Sequence, residues 1–385
     1  MSYLTPSVTS RLPEVGTTIF TTMSALAVQH KAVNLGQGFP DFGCDPALTA
    51  AVTEAMQQGH NQYPPMAGAA ALREAVAAKI EALYGHRYDA TAEITVTAGA
   101  TQALLTAMLA VVQPGEEVIV LDPCYDSYVP SIQMAGAKPV RVQLTPGSFR
   151  PDFAAIAAAI TPRTRLLLIN SPHNPTGTVW TEAEMLQLQD LLAPTNVLLL
   201  SDEVYEHMVF DGKKHLSASR FPGLAARAMV VSSFGKTFHV TGWKVGTVAA
   251  PAALMAEFRK IHQFNVFTVN TPMQVGLAQY LSNPAPYIQL PAFYQAKRDF
   301  FRAGLATTRL KPMDCSGTYF QTVDISAVSQ LSEADFCAWL TQEIGVAAIP
   351  TSAFYGDGFD QGMVRFCFAK QDSTLQLALE RLQKL

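Results

Sequence analysis

Residues 230–246, VVSSFGKTFHVTGWKVG, decide how the rest of the chain is read. They continue an apolar run over 228–231 that reads as a buried strand. The strand gives way to Ser232, Ser233 and Gly235, small residues that let a backbone approach a ligand closely. Lys236 stands at the strand's exit, and Lys244 follows eight residues later. Three readings compete for Lys236. Gly235-Lys236-Thr237 looks like the end of a phosphate-binding loop, but G-x-x-x-x-G-K-[ST] needs a glycine where Val230 stands, so that reading fails. A solvated surface lysine fits poorly with a mostly apolar, small-residue setting, which depresses an amine's pKa and makes it nucleophilic. The third reading is a lysine that forms a Schiff base with an aldehyde cofactor, with Ser233 and Lys244 holding that cofactor's phosphate.

Outward from this stretch, strands and helices alternate from Glu93 onward. Strands are expected over 94–97, 117–121, 166–170, 197–201, 228–231 and 246–250. Such alternation implies right-handed crossovers and a mainly parallel α/β sheet covered by helices on both faces. Ligands of such sheets bind at the carboxyl ends of the strands. The chemically interesting residues fall there: Tyr125, Asn174, Asp202, Tyr205 and Lys236. Gly99, Ala100 and Thr101 open a helix after the first strand, and N–H groups at a helix N-terminus suit a phosphate. Singly, each is a weak signal, because strand-end Asp and Tyr are often caps or packed side chains. Their convergence on one edge with Lys236 argues for a site.

Beyond Thr268 the pattern changes. Helices dominate 272–310, and short antiparallel strands are expected over 319–323, 347–350 and 363–368. That describes a smaller α+β domain. Arg365 lies on its apolar strand, where an unpaired guanidinium is costly and a bidentate carboxylate partner is the natural solution. At the other end, residues 1–15 read as an arm, 17–29 as a helix and 33–41 as an extended segment. The Gly36-Gln37-Gly38 of that segment lacks the further glycine of a dinucleotide fingerprint and opens no helix. Tyr63 sits in a rigid turn, Asn-Gln-Tyr-Pro-Pro, before a helix over 67–84, and alone reads as a turn-packing side chain.

Composition excludes several classes. At 385 residues, 49% hydrophobic and 15% charged, the chain is long enough for two packed domains. Net charge is −4 with no Lys/Arg block, so the footprint of a nucleic-acid binder is missing. The longest strongly apolar stretch, 103–112, is far too short for a membrane span, and the N-terminus has no signal core. A cytoplasmic enzyme is expected. The five cysteines are scattered without a C-x-x-C pair, and the eight histidines show no H-E-x-x-H, so no metal is expected. Cys124 reads as a small buried filler, and Glu203, Glu206 and His207 as part of a strand end.

The pattern S-x-x-K-T-F-x-x-T-G-W-K-x-G resembles the cofactor-lysine segment of the class I aminotransferases, which bind pyridoxal 5′-phosphate in the fold-type I architecture. Within them the chain is most similar to the bacterial methionine and the kynurenine aminotransferase groups, from about Gly16 to the C-terminus. The resemblance implies residues 46–275 as a large cofactor domain, with 16–45 and 276–385 as a small domain. It implies Lys236 as catalytic lysine, Asp202 on the pyridine nitrogen, Tyr205 and Asn174 on the ring's 3-oxygen, and Tyr125 stacked on the ring. Gly99, Ala100, Thr101, Ser233 and Lys244 are expected on the phosphate, with Tyr63 reaching it from the partner subunit of a homodimer. Gly36, Asn174 and Arg365 are expected on the substrate's α-carboxylate, and Ile19, Phe20, Tyr125 and Phe267 around its side chain. The implied reaction is ping-pong transfer of an amino group between an L-amino acid and a 2-oxo acid, with methionine and aromatic donors preferred. A kynurenine or glutamine aminotransferase with cysteine-conjugate β-lyase activity is the alternative.

Overall fold

The computed structural model describes residues 7–385, so residues 1–6 of the expected arm lie outside it. In chain order the strands are β1 (Val33–Asn34), β2 (Ile94–Thr97), β3 (Glu117–Asp122), β4 (Lys138–Gln143), β5 (Thr164–Asn170), β6 (Leu198–Asp202), β7 (Ala228–Ser233) and β8 (Gly246–Ala249). Strands β2 to β8 form one seven-stranded sheet in the order β2-β8-β7-β6-β5-β3-β4. Every pairing is parallel except those of β8, which runs against both β2 and β7. The β7–β8 connection lacks the helix of a parallel crossover. A parallel return needs a crossover of about a dozen residues or more, usually carrying a full helix. The β7–β8 connection holds only the short helix Phe234–Thr237 and a 3₁₀ turn over Thr241–Trp243.

The apolar runs behind the sheet feed two cores at once. Side chains alternate across a strand, so Val118, Val120, Leu166, Leu168, Met229 and Val231 enter one core. Ile119, Leu121, Leu167, Ile169, Ala228 and Val230 enter the other. Each fully buried aliphatic side chain stabilises by about 1.5–3 kcal/mol, which fixes the register of every strand in the middle of the sheet. Strand β4, KPVRVQ, was not among the expected strands. It is the sheet's edge, largely exposed, and its Lys138, Pro139 and Arg141 are the residues that blunt an edge against further pairing.

The remaining strands are β9 (Lys311–Pro312), β10 (Phe320–Asp324), β11 (Val346–Ala347), β12 (Ile349–Pro350) and β13 (Met363–Cys367). Strands β12-β13-β10-β9 form an antiparallel sheet with Arg365 between Ile349 and Thr322. The single strand expected over 347–350 is therefore two. Residues Val346–Ala347 pair in parallel with β1, and only Ile349–Pro350 joins β13. The split arises because the extended segment after β1 is stitched in there: Leu35 donates to the Ala347 carbonyl, and Cys367 donates to that of Leu35.

Leu35, Tyr294, Phe301, Phe320, Phe336, Phe366 and Leu379 share one core, which Val204, Tyr205 and Met208 also enter. Leu277 and Leu281 of the helix Thr271–Leu281 pack instead with Leu48, Leu72 and Val96. Among the described residues no helix is long and apolar enough to cross a membrane.

Candidate active site

The carboxyl ends of β2, β5, β6 and β7 surround a cavity of about 170 Å³. Gly99, Ala100, Thr101, Tyr125, Asn174, Asp202, Tyr205, Ser233, Lys236 and Lys244 all line it. Ten residues expected from separate segments are thus brought to one space. Gly36, Arg365 and Phe20 form an adjoining cluster, while Tyr63 and Phe267 are not brought to the cavity of their own chain.

Its floor is anion-shaped. Gly99 opens the helix Gly99–Val111, whose N-cap Ala98 offers no side-chain hydrogen bond, so the first N–H groups are left for a ligand. Gly99 adopts φ +76°, and a Cβ there would sit 3.3 Å from Lys244 Nζ. At Gly246 a Cβ would meet the Ser232 carbonyl at 2.7 Å and the Ala100 nitrogen at 3.2 Å. Both glycines keep a cradle open that any side chain would fill. Lys244, itself at φ +53°, is exposed and supplies the positive charge.

Opposite lies the carboxylate of Asp202, 3% exposed. It accepts from the Tyr128 hydroxyl at 2.6 Å and from Val204 N–H at 3.2 Å. Burial pushes its pKa up to about 6 despite those donors and the nearby Lys236. A cationic partner on the cavity side would restore the ionised form. Asn170 holds the neighbouring turn, donating to the Asp202 carbonyl at 2.9 Å and accepting from Asn174 N–H at 2.8 Å.

Lys236 is half-buried and, among the described residues, has no carboxylate partner. Its Nζ donates to the Tyr319 hydroxyl at 2.7 Å and to the Gly38 carbonyl at 3.1 Å. Burial, with Arg365 and Lys244 nearby, lowers its pKa to about 8. The amine is therefore much closer to its nucleophilic form at neutral pH than an ordinary lysine.

Arg365 is buried to 1% exposure and ringed by Phe320 at 3.8 Å, Phe354 at 5.0 Å and Phe20 at 5.4 Å. It donates to Asn174 Oδ1 at 2.7 Å and to the Gly36 carbonyl at 3.0 Å. Its Nε has no partner among the described residues. Burial pulls its pKa down to about 10, against the opposing influence of nearby groups that include the Asp126 carboxyl. A buried cation with an orphaned donor suits an anionic partner.

The model for "Aminotransferase class I and II" matches residues 30–382. The chain belongs to that family. It is 52% identical to the methionine aminotransferase of Escherichia coli (strain K12) over 98% of each chain. It is 42% identical to a probable N-succinyldiaminopimelate aminotransferase of Mycobacterium tuberculosis, again over 98% of each, and 36% identical to human kynurenine–oxoglutarate transaminase 1 over 93% of each. Among solved structures, an Escherichia coli protein with a methionine aminotransferase function superposes with a TM-score of 0.97, at 52% identity and over 100% of both chains. The fold is the fold-type I architecture of pyridoxal 5′-phosphate enzymes, and the chain is a transferase that depends on this cofactor.

The residues present fit the cofactor. A helix N-terminus, two hydroxyls and an ammonium suit a phosphate. A carboxylate short of a cation suits a protonated ring nitrogen, and an unpaired amine suits an aldehyde.

Three residues that sequence reading missed complete the arrangement: Tyr128, Asn170 and Tyr319. Tyr128 follows Tyr125 by three residues, joined by a turn in which its N–H donates to the Tyr125 carbonyl at 3.1 Å, and the two rings meet edge-on at 5.6 Å. Tyr319 has no local signal. Cys124 is buried as expected, and Glu206 is held by Lys79 and the Tyr84 hydroxyl.

Proposed function

We propose that the chain moves amino groups between L-amino acids and 2-oxo acids in ping-pong order, preferring methionine and aromatic donors, as a homodimer. The observation that carries the preference is the ring cage around Arg365. The cage fixes a carboxylate with one buried cation and surrounds it with Phe20, Phe320 and Phe354. Among the described residues, the cations lining the cavity are Lys236 and Lys244, both assigned elsewhere. The 52% identical relative is itself a methionine aminotransferase.

The roles follow from the chain's own groups. Gly99, Ala100, Thr101, Ser233 and Lys244 hold the phosphate, with Tyr125 against the ring and Asp202 on its nitrogen. Pyridoxal 5′-phosphate, when bound, supplies an electron sink that makes the substrate's α-hydrogen acidic. Arg365 grips the α-carboxylate through its planar fork, and Asn174 fixes the fork's plane. That grip orients the α-hydrogen toward Lys236, whose Nζ would take and hold the proton. A thioether or phenyl ring enters the apolar cage without losing hydrogen bonds and gains about 25 cal/mol per Å² buried. An aspartate side chain there is a desolvated charge without a partner, at a cost of several kcal/mol.

Support for the dimer is local. Tyr63 is 81% exposed and meets Phe267 edge-on at 5.2 Å, with Phe264 87% exposed nearby in sequence. An aromatic patch of this kind is a surface for a second chain. Comparing kcat/KM for methionine, phenylalanine, glutamine and aspartate against one common oxo acid tests the preference. Aspartate matching methionine would place a cation in the pocket and refute the reading.

A further inference from the structure

The contacts of Lys236 form a closed triangle. Its Nζ donates to the Tyr319 hydroxyl and the Gly38 carbonyl, and that hydroxyl also donates to the same carbonyl. Neither partner is free to wander. Tyr319 is fully buried, and its ring meets Tyr205 edge-on at 5.2 Å, Phe320 at 4.9 Å and Tyr294 at 5.8 Å. Gly38 lies close against Phe320, where a Cβ would come within 2.7 Å of the ring. The segment carrying Gly38 also gives its Gly36 carbonyl to Arg365, so one extended piece of backbone touches both the amine and the guanidinium.

The chemistry of this triangle is particular. Burial holds the Tyr319 phenol well above its ordinary pKa, so it stays protonated and neutral. The rings of Tyr205 and Tyr319 lie 5.6 Å and 5.3 Å from Nζ. Among the described residues the amine thus has two neutral oxygen acceptors and no ion pair. The oxygen acceptors favour the ammonium modestly, whereas burial opposes it. The outcome is an amine held in place by hydrogen bonds while its proton stays loosely bound.

We infer that Tyr319 is a positioning residue, and that its hydroxyl and the Gly38 carbonyl form the resting place of the Lys236 amine whenever that amine is not bonded to the cofactor. The inference rests on the assignment of Lys236 as the cofactor lysine. Resting there, the amine stays beside the cavity and beside the segment that braces Arg365, instead of rotating toward Asp202 and pairing with it. The substitution Tyr319→Phe isolates this role, since phenylalanine keeps the ring contacts and removes only the hydroxyl.

The test follows capture of added pyridoxal 5′-phosphate by the cofactor-free protein, read as growth of its visible absorbance band across a pH series. In the unmutated protein the capture rate rises with pH through about 8, where the amine loses its proton. In Tyr319→Phe the ammonium has lost one acceptor. Its midpoint therefore falls by roughly half a unit to one unit, and the high-pH plateau rate drops as well. Midpoint and plateau equal to the unmutated protein's would overturn the inference and leave Tyr319 a packing residue. Lys236→Ala separates the two levels: if it still captures the cofactor with the same band and pH dependence, the lysine assignment fails. If it loses both while Tyr319→Phe behaves as unmutated, only the resting place fails. A measurement without substitution at 319 is a nuclear Overhauser contact between the Lys236 ε-methylene and the Tyr319 ring in the cofactor-free protein. Its absence would also overturn the inference.

Discussion

Replacing Arg365 by lysine asks how much of catalysis depends on a planar fork. Arg365 already uses one terminal nitrogen on Asn174 at 2.7 Å and the other on the Gly36 carbonyl at 3.0 Å. Its remaining donor directions, Nε among them, are what a carboxylate would find. A lysine ammonium has three donors at one point and cannot brace itself on both partners while presenting a parallel pair to the substrate. At least one charge-assisted hydrogen bond is lost, worth about 1.5–3 kcal/mol. At 1.36 kcal/mol per decade, kcat/KM should fall roughly 10- to 150-fold. Every amino acid shares the α-carboxylate, so the drop should be nearly equal for methionine, phenylalanine and glutamine. Steady-state kinetics with one common oxo acid decides it. A loss confined to one donor would show that Arg365 reads side chains, and no loss would send the carboxylate elsewhere.

Asp202, with its carboxyl pKa raised to about 6 by burial, binds a proton more tightly in the folded cofactor-free protein than in the unfolded chain, whose value is 3.8. The folded state should therefore lose stability as pH rises from about 4 to 6, by up to about 3 kcal/mol relative to Asp202→Asn. Parallel denaturation curves for the two proteins over that range would contradict this. Mixing Tyr63→Phe subunits with Lys236→Ala subunits should give one heterodimer site carrying neither change, and activity above the average of the parents. A monomeric active species would end the idea.

Local chemistry was the most legible part of the sequence. The strand-to-lysine stretch, the Asp202 strand end and the Asn174 turn each carry their role within a few residues. Strand ends and small residues marked the positions, and the resemblance to the class I aminotransferases supplied the roles expected of them. What stayed hidden depended on neighbours distant in sequence. Tyr319 reaches Lys236 across 83 positions, and nothing in Gly-Thr-Tyr-Phe announces which amine its hydroxyl meets. The edge strand β4 was masked by the very features that suit an edge, a lysine, a proline and an arginine among few buried side chains. The splitting of 347–350 depended on where the segment after β1 would dock. Arg365 lay between the two cases: its cost in an apolar strand was readable, whereas the ring cage around it was not.

The reversed strand β8 also sets an order of assembly. Gly246 pairs with Thr97 on one side and with Ser233 on the other. The first wall of the phosphate cradle is therefore made 149 residues before the strand that closes it (246 − 97). Contacts of such separation form late and slowly, since the intervening chain must be ordered before they reward it. A nascent chain that has emerged only as far as β7 holds half a cradle, with no Gly246 to seat the Ala100 backbone and no Lys244 to face it. Ligand binding stabilises only the state that contains the site. Cofactor binding should therefore stabilise only chains in which β8 has taken its place between β2 and β7.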